Sequence, residues 1–203
     1  MKILLLSSHS DNNLDLAVLS ARNHWEYGAR WHYDYMVVRE MWDECLKNFP
    51  EIFMKLLPFY DAILSLGSDV LFTNFDISAE SILQPGDCMV VAKEPSGNST
   101  TINLGVILLC NHPQTFELLK LIDRERQTWL KLRLIAQDWM SQNYNTPLIK
   151  NSVRIVPTRV MNSTVDGDNA WKSGDWLVHF YCHKQEEKKA LIEKFIKTNL
   201  ERL

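Results

Sequence analysis

The sequence predicts an α/β fold on two observations. Apolar runs of strand length alternate along the chain with stretches of helical periodicity. Two of those runs also stop abruptly at polar groups, Leu6 at Ser7-Ser8-His9-Ser10-Asp11 and Leu66 at Gly67-Ser68-Asp69. Buried strands end this way where an open sheet meets a ligand.

Each element carries its own signal. Lys2 to Leu6 is a continuous apolar run and the first strand. Asp11, Asn12 and Asn13 offer N-caps to a helix on which Leu14, Val18, Ala21 and Trp25 recur along one face, with Gly28 as its stop. Tyr33 to Val38, aromatic and β-branched, reads as the second strand. Glu40 to Leu57 is helical in period, with Pro50 dividing or kinking it. Ala62 to Leu66 is a buried strand, Ser78 to Leu83 a short helix, and Cys88 to Ala92 and Gly105 to Cys110 are strands. Asn111 and Pro113 open a helix to about Leu130, with Phe116, Leu118, Leu119 and Ile122 inward. A further helix covers Leu134 to Asn143. Val153 to Val156 and Trp176 to Phe180 are late strands, and residues 184–203 form a charged amphipathic helix striped by Leu191, Ile192, Phe195, Ile196 and Leu200.

The 203 residues, 46% of them apolar, suffice for one substantial core and are short for two ordinary domains, so residues 1–203 read as a single domain. With 22 basic against 25 acidic residues, the net charge of -3 gives no general field for nucleic acid or an anionic membrane. Any phosphate must be met by a local site. The apolar start breaks too early for a leader sequence, and no stretch approaches the roughly 20 apolar residues of a transmembrane segment. The expectation is a cytoplasmic protein. Cys45, Cys88, Cys110 and Cys182 are widely spaced and imply neither a disulfide framework nor a four-cysteine zinc site.

Asp69 is the most informative residue. A carboxylate directly after a buried strand stands at the sheet's C-terminal edge, where it can hold a divalent cation against a diphosphate. On local sequence alone it reads equally as the cap of the next turn. Tyr60 to Asn74, however, resembles the DxD segment of GT-A glycosyltransferases, and most of all that of glycosyltransferase family 34, the galactosyl- and mannosyl-transferase group. The pattern has an acidic residue at both ends of DxD, whereas here Gly67 takes the first position and only Asp69 remains.

Three further segments follow in the family's order. Ile102 to Asn111 is similar to its NxG-plus-strand element, in which Asn103 would face the donor sugar and Gly105 would permit close backbone approach. Ala136-Gln137-Asp138-Trp139-Met140 resembles the QDxL element of retaining enzymes, which places Gln137 and Asp138 near the anomeric carbon. Gly174 to Phe180 resembles the late strand whose histidine, here His179, completes the metal site. Lys184 follows it and would face a phosphate, although Cys182 replaces the family's glycine.

The resemblance implies a single GT-A domain, a twisted, mostly parallel mixed sheet flanked by helices. It implies a retaining hexosyltransferase. Ser68, Asp69, Asn103, Gly105 and Lys184 would bind a UDP- or GDP-sugar, and Asp69 and His179 would hold Mn²⁺ or Mg²⁺. The acceptor would be a glycan or other hydroxyl compound. Gly67 keeps an alternative open: a nucleotide-sugar-binding module with little or no turnover. Of the seven tryptophans, Trp171 is the candidate for an acceptor site, because it lies in a polar loop before the late strand.

Overall fold

The computed structural model describes residues 1–9, 14–39, 41–95, 100–181 and 183–200, of which 39, 41–47 and 200 are described by backbone alone. The proposed caps Asp11, Asn12 and Asn13 lie outside the described residues, as does Cys182. The main sheet has six strands in the order β2-β1-β3-β6-β5-β7. These are β1 (Ile3–His9), β2 (Asp34–Arg39), β3 (Ala62–Gly67), β5 (Met89–Lys93), β6 (Ile102–Cys110) and β7 (Val153–Val156). β6 is antiparallel to both its neighbours and the other pairings are parallel, so the sheet is mixed and mostly parallel, as expected.

Strand alternation sorts the core onto two faces. Leu4, Leu6, Ile63, Met89, Val91, Ile107 and Leu109 pack on one side with Phe49 and Phe53 of α2 (Met41–Leu56) and Leu118, Leu119 and Ile122 of α3 (Pro113–Arg124). Ile3, Leu5, Leu64, Leu66, Val90 and Leu108 pack on the other, with Tyr27 of α1 (Leu14–Trp31), Phe72 and Trp176. Both faces are buried, so these strands read as continuous apolar runs.

A smaller sheet, β4-β9-β8, stands beside the main one. β4 (Val70–Phe72), β8 (Ser163–Thr164) and β9 (Leu177–His179) have two or three residues each. β4 and β8 carried no strand signal in the sequence. Leu71, Val178 and Phe180 pack against Leu16 of α1 and Ile192 of α8 (Gln185–Phe195).

Several helix features depart from the sequence reading. Gly28 does not stop α1. The helix continues to Trp31 and ends where His32 adopts φ 58°, with Tyr33 N–H donating to Gly28 O and His32 N–H to Ala29 O. This is a C-terminal cap in which His32 takes the left-handed position that glycine usually fills. Pro50 does not divide α2 either. Burying Phe49 and Phe53, at about 1.5–3 kcal/mol each, offsets the roughly 3 kcal/mol that an interior proline costs. The helix expected to run to about Leu130 ends at Arg124 and resumes as the short α4 (Arg126–Trp129). The short helices α6 (Pro147–Ser152) and α7 (Thr158–Met161) were also unforeseen.

The apolar stripe that the sequence showed on α1 points outward, although Leu16 and Tyr27 of the same helix are buried. Leu14, Val18 and Trp25 are exposed, while the polar Ser20, Asn23 and His24 are buried. Strand β4 explains this inversion. Asn23 Nδ2 donates to Phe72 O at 2.9 Å and Phe72 N–H donates to Asn23 Oδ1 at 2.7 Å, so the side-chain amide pairs with the strand as a neighbouring strand would. His24 bridges Ser7 Oγ, 2.6 Å from Nδ1, and Val70 O, 2.7 Å from Nε2. Complete burial pushes its pKa down to about 4 against the pull of the Val70 carbonyl, so it is neutral. Among the described residues, no helix is long and apolar enough to cross a membrane.

Candidate active site

The site lies at the edge where β1, β3 and β5 end and β6 begins. β3 delivers Gly67 to this edge, and β4 starts at Val70, so Ser68 and Asp69 form the link between the two sheets. Val70 pairs with His179 across the antiparallel β4–β9 register, and Phe180 N–H donates to Asp69 O at 2.8 Å. Asp69 Oδ1 therefore lies 3.3 Å from His179 Nε2, with both residues buried. The sequence expectation that these residues, 110 positions apart, meet at one point holds.

Asn162, immediately before β8, orients the histidine: its Oδ1 lies 2.8 Å from His179 Nδ1. With Nδ1 turned to Asn162, Nε2 is turned toward Asp69. The second oxygen of Asp69, Oδ2, is ion-paired with Lys188 Nζ. Burial opposes the charge on Asp69, but His179 and Lys188 outweigh it and hold the carboxyl well below the usual carboxylate range.

The NxG segment reaches the site through an irregularity in β6. Opposite Val91 and Ala92 of β5 stand Ile107 and Asn103, so Leu104 to Val106 bulge from the β5–β6 ladder. The side-chain amides satisfy the backbone groups this exposes. Leu104 N–H donates to Gln137 Oε1 at 2.9 Å, and Gly105 N–H to Asn103 Oδ1 at 2.8 Å. The amide nitrogens of Asn103 and Gln137 then both donate to Glu94 Oε2, at 2.8 and 3.1 Å. The bulge brings Gly105 so near His179 that an added Cβ would fall 2.2 Å from Cε1 and 2.8 Å from Nδ1. Only glycine fits.

Gln137 belongs to α5 (Ala136–Gln142), whose entry is strained: Ile135, β-branched, has φ 49° and ψ -125°. Asp138 accepts from Leu134 N–H at 2.9 Å and closes the loop that leads into α5. Lys184 is exposed at the N-terminus of α8, and Lys188, one turn further on, is the lysine that reaches Asp69. Trp171 is pinned by Thr73 Oγ1, 2.9 Å from its Nε1, and by the Phe195 ring, edge-on at 5.0 Å. It packs where an acceptor-binding indole was expected.

Beside Ser68, a cavity of about 120 Å³ opens at the end of β1. Ser7, Ser8, His9 and Ser68 supply polar groups, and Leu14, Ala17, Val18, Tyr35 and Val37 supply walls. Part of the exposed stripe of α1 is thus a cavity wall. His9 lines the cavity, and its Nδ1 is buried without a hydrogen-bond partner.

Adjacent ligand atoms on an octahedral cation, at bonds of about 2.1 Å, lie roughly 3 Å apart. Asp69 Oδ1 and His179 Nε2 match that spacing, and the Asn162 bond leaves Nε2 able to coordinate. Among the described residues, no group of three His, Cys, Asp or Glu side chains gathers to hold a metal. Two donors, Asp69 and His179, stand here among the described residues. Position 67 faces the same point, since a Cβ on Gly67 would lie 2.8 Å from Asp69 Oδ1.

Glu94 and Lys188 escaped the sequence reading. Glu94 gave the same signal as Asp69, a carboxylate directly after a buried strand. Lys188 stands one helical turn from Lys184, a spacing that sequence alone does not distinguish.

No protein-family model matches the sequence, and no curated protein matches it. Solved structures do. A glycosyltransferase involved in glycosylation of the major capsid of PBCV-1 superposes with a TM-score of 0.76 at 19% identity, over 96% of this chain and 100% of that one. The galactosyltransferase LgtC, in complex with donor and acceptor sugar analogues, gives 0.58 at 14% identity, over 94% and 95%. Mouse xyloside xylosyltransferase 1 gives 0.55 at 11% identity, over 90% and 98%. The strand order, the helices flanking the sheet and these likenesses together show that the chain has the GT-A glycosyltransferase fold.

Proposed function

We propose that the protein transfers a sugar from a nucleotide-sugar donor to an acceptor hydroxyl. The observation that carries this reading is the convergence of Asp69, His179 and the Asn103–Gly105 bulge at one rim, beside the cavity at the end of β1. A base would enter between the apolar walls, beside the polar groups of Ser7, Ser8 and Ser68. Ser68, Asp69 and Lys188 border the diphosphate, and Asn103, Gln137 and Glu94 border the sugar. The glycosyltransferase folds of its structural neighbours support the same donor class.

Asp69 and His179 would hold a divalent cation, Mn²⁺ or Mg²⁺, which would neutralise charge on the leaving nucleoside diphosphate. Asn162 holds the His179 ring, and Gly105 leaves room for it. Asn103 and Gln137 fix the carboxylate of Glu94, whose negative charge stabilises positive charge developing on the sugar ring. Transfer breaks the bond between the anomeric carbon and the diphosphate oxygen and forms one to the acceptor oxygen. The acceptor proton passes to the leaving oxygen on the same face, the retaining course that the family resemblance implies.

One observation favours a second reading, a binding module with little turnover. Asp69 is the sole carboxylate of the truncated DxD and is already paired with Lys188. Incubation with a panel of UDP- and GDP-sugars, with Mn²⁺ or a chelator, tests both. The expected result is Mn²⁺-dependent release of nucleotide from at least one donor, lost in Asp69→Asn. Binding with no release from any donor selects the second reading, and absence of nucleotide binding overturns both.

A further inference from the structure

Asp69 is one carboxylate engaged from two sides. His179 Nε2 faces Oδ1, and Lys188 Nζ is paired with Oδ2. Lys188 is no ordinary surface lysine: its side chain is only 20% exposed. Helix α8 carries it to the site, docked through Ile192 on Leu71, Val178 and Phe180 and tied to α1 by the Lys189–Asp15 ion pair at 2.8 Å. Position 67 supplies no second carboxylate to share the load. An ammonium and a divalent cation repel one another strongly at contact range in partly buried surroundings, so they do not share Asp69 without cost.

We infer that Lys188 is a built-in rival for the cation position: its ammonium holds Asp69 in the free protein and moves to the diphosphate of a bound nucleotide when a divalent cation takes the carboxylate. The inference rests on the donor-binding reading above. Two consequences follow from linkage. Cation binding alone is weak, because the lysine must lose its partner. Cation and nucleoside diphosphate bind cooperatively, because the diphosphate offers the displaced ammonium a new anion. The tail helix is then part of the donor site.

Titration with Mn²⁺ alone, followed by the electron paramagnetic resonance signal of the free ion, tests this in wild type, Lys188→Met, Lys188→Arg and Asp69→Asn. A Mn²⁺-dependent rise in Tm gives an independent readout and shows that each variant folds. Lys188→Met is expected to bind Mn²⁺ about tenfold more tightly than wild type, Lys188→Arg like wild type, and Asp69→Asn not at all. UDP is expected to tighten Mn²⁺ binding in wild type and much less in Lys188→Met. Equal, Asp69-dependent affinities in wild type and Lys188→Met overturn the rivalry and leave the cation site standing. Binding that is absent throughout, or that persists unchanged in Asp69→Asn, overturns the cation site and the rivalry together.

Discussion

The six-stranded and three-stranded sheets are built on opposite terms. β1, β3, β5 and β6 have five to nine residues, pair on both sides and bury apolar side chains on both faces. β4, β8 and β9 have two or three residues and borrow what they lack from elsewhere. Asn23 stands in for a neighbouring strand on β4, and His24 ties Val70 to Ser7. Yet Asp69, Asn162 and His179, three residues of the candidate site, are set by the small sheet. The large sheet supplies stability and a rim, and the small one brings distant residues onto it.

If this division holds, damage to the large sheet appears as lost stability and damage at the rim as lost binding. The largest effect is expected from Leu64→Ala, at a fully buried position of β3: about 2–5 kcal/mol of unfolding free energy, measured by urea denaturation. Gly105→Ala sharpens the contrast. Its Cβ has no room beside His179, so donor turnover is expected to fall about 100-fold while the urea midpoint moves little. A large loss of stability in this variant would show that the bulge holds the sheet together rather than shaping the site. Glu94→Gln removes the negative charge while leaving an oxygen to accept from Asn103 and Gln137, and roughly tenfold lower kcat is expected with the fold intact. Unchanged kcat would remove Glu94 from the sugar side of the site.

The smallest effect concerns pH. His24 is neutral in the folded chain, with a pKa of about 4 against about 6.5 when unfolded. The unfolded state binds the proton first, so the contribution of neutral His24 is complete above about pH 6.5 and declines as pH falls toward 4. Wild type is expected to lose about 1–2 kcal/mol more over that window than His24→Gln, by urea denaturation at each pH. Parallel pH profiles would show that β4 is held without this bridge.

Much of the large sheet was legible because strands buried on both faces leave unbroken apolar runs. Lys2 to Leu6 and Gly105 to Cys110 were read from that signal, within what prove to be β1 and β6. Asp69, Asn103 and His179 were legible through the family resemblance and through their places at element ends. α1 was only half legible. Its apolar face stood out, but periodicity does not say which surface a face meets, and here it turns toward solvent and the cavity wall while polar residues serve β4.

By itself the sequence determined the α/β class, most strands of the main sheet and the residue types at the edge that carries the candidate site, because local periodicity and polar breaks encode them. Only the tertiary structure decided that Val70–Phe72 is a strand, that Lys188 rather than Lys184 reaches Asp69, and that Glu94 gathers Asn103 and Gln137. Each of these depends on hydrogen bonds or ion pairs between residues far apart in the chain, and a two- or three-residue strand is too short to leave a period of its own.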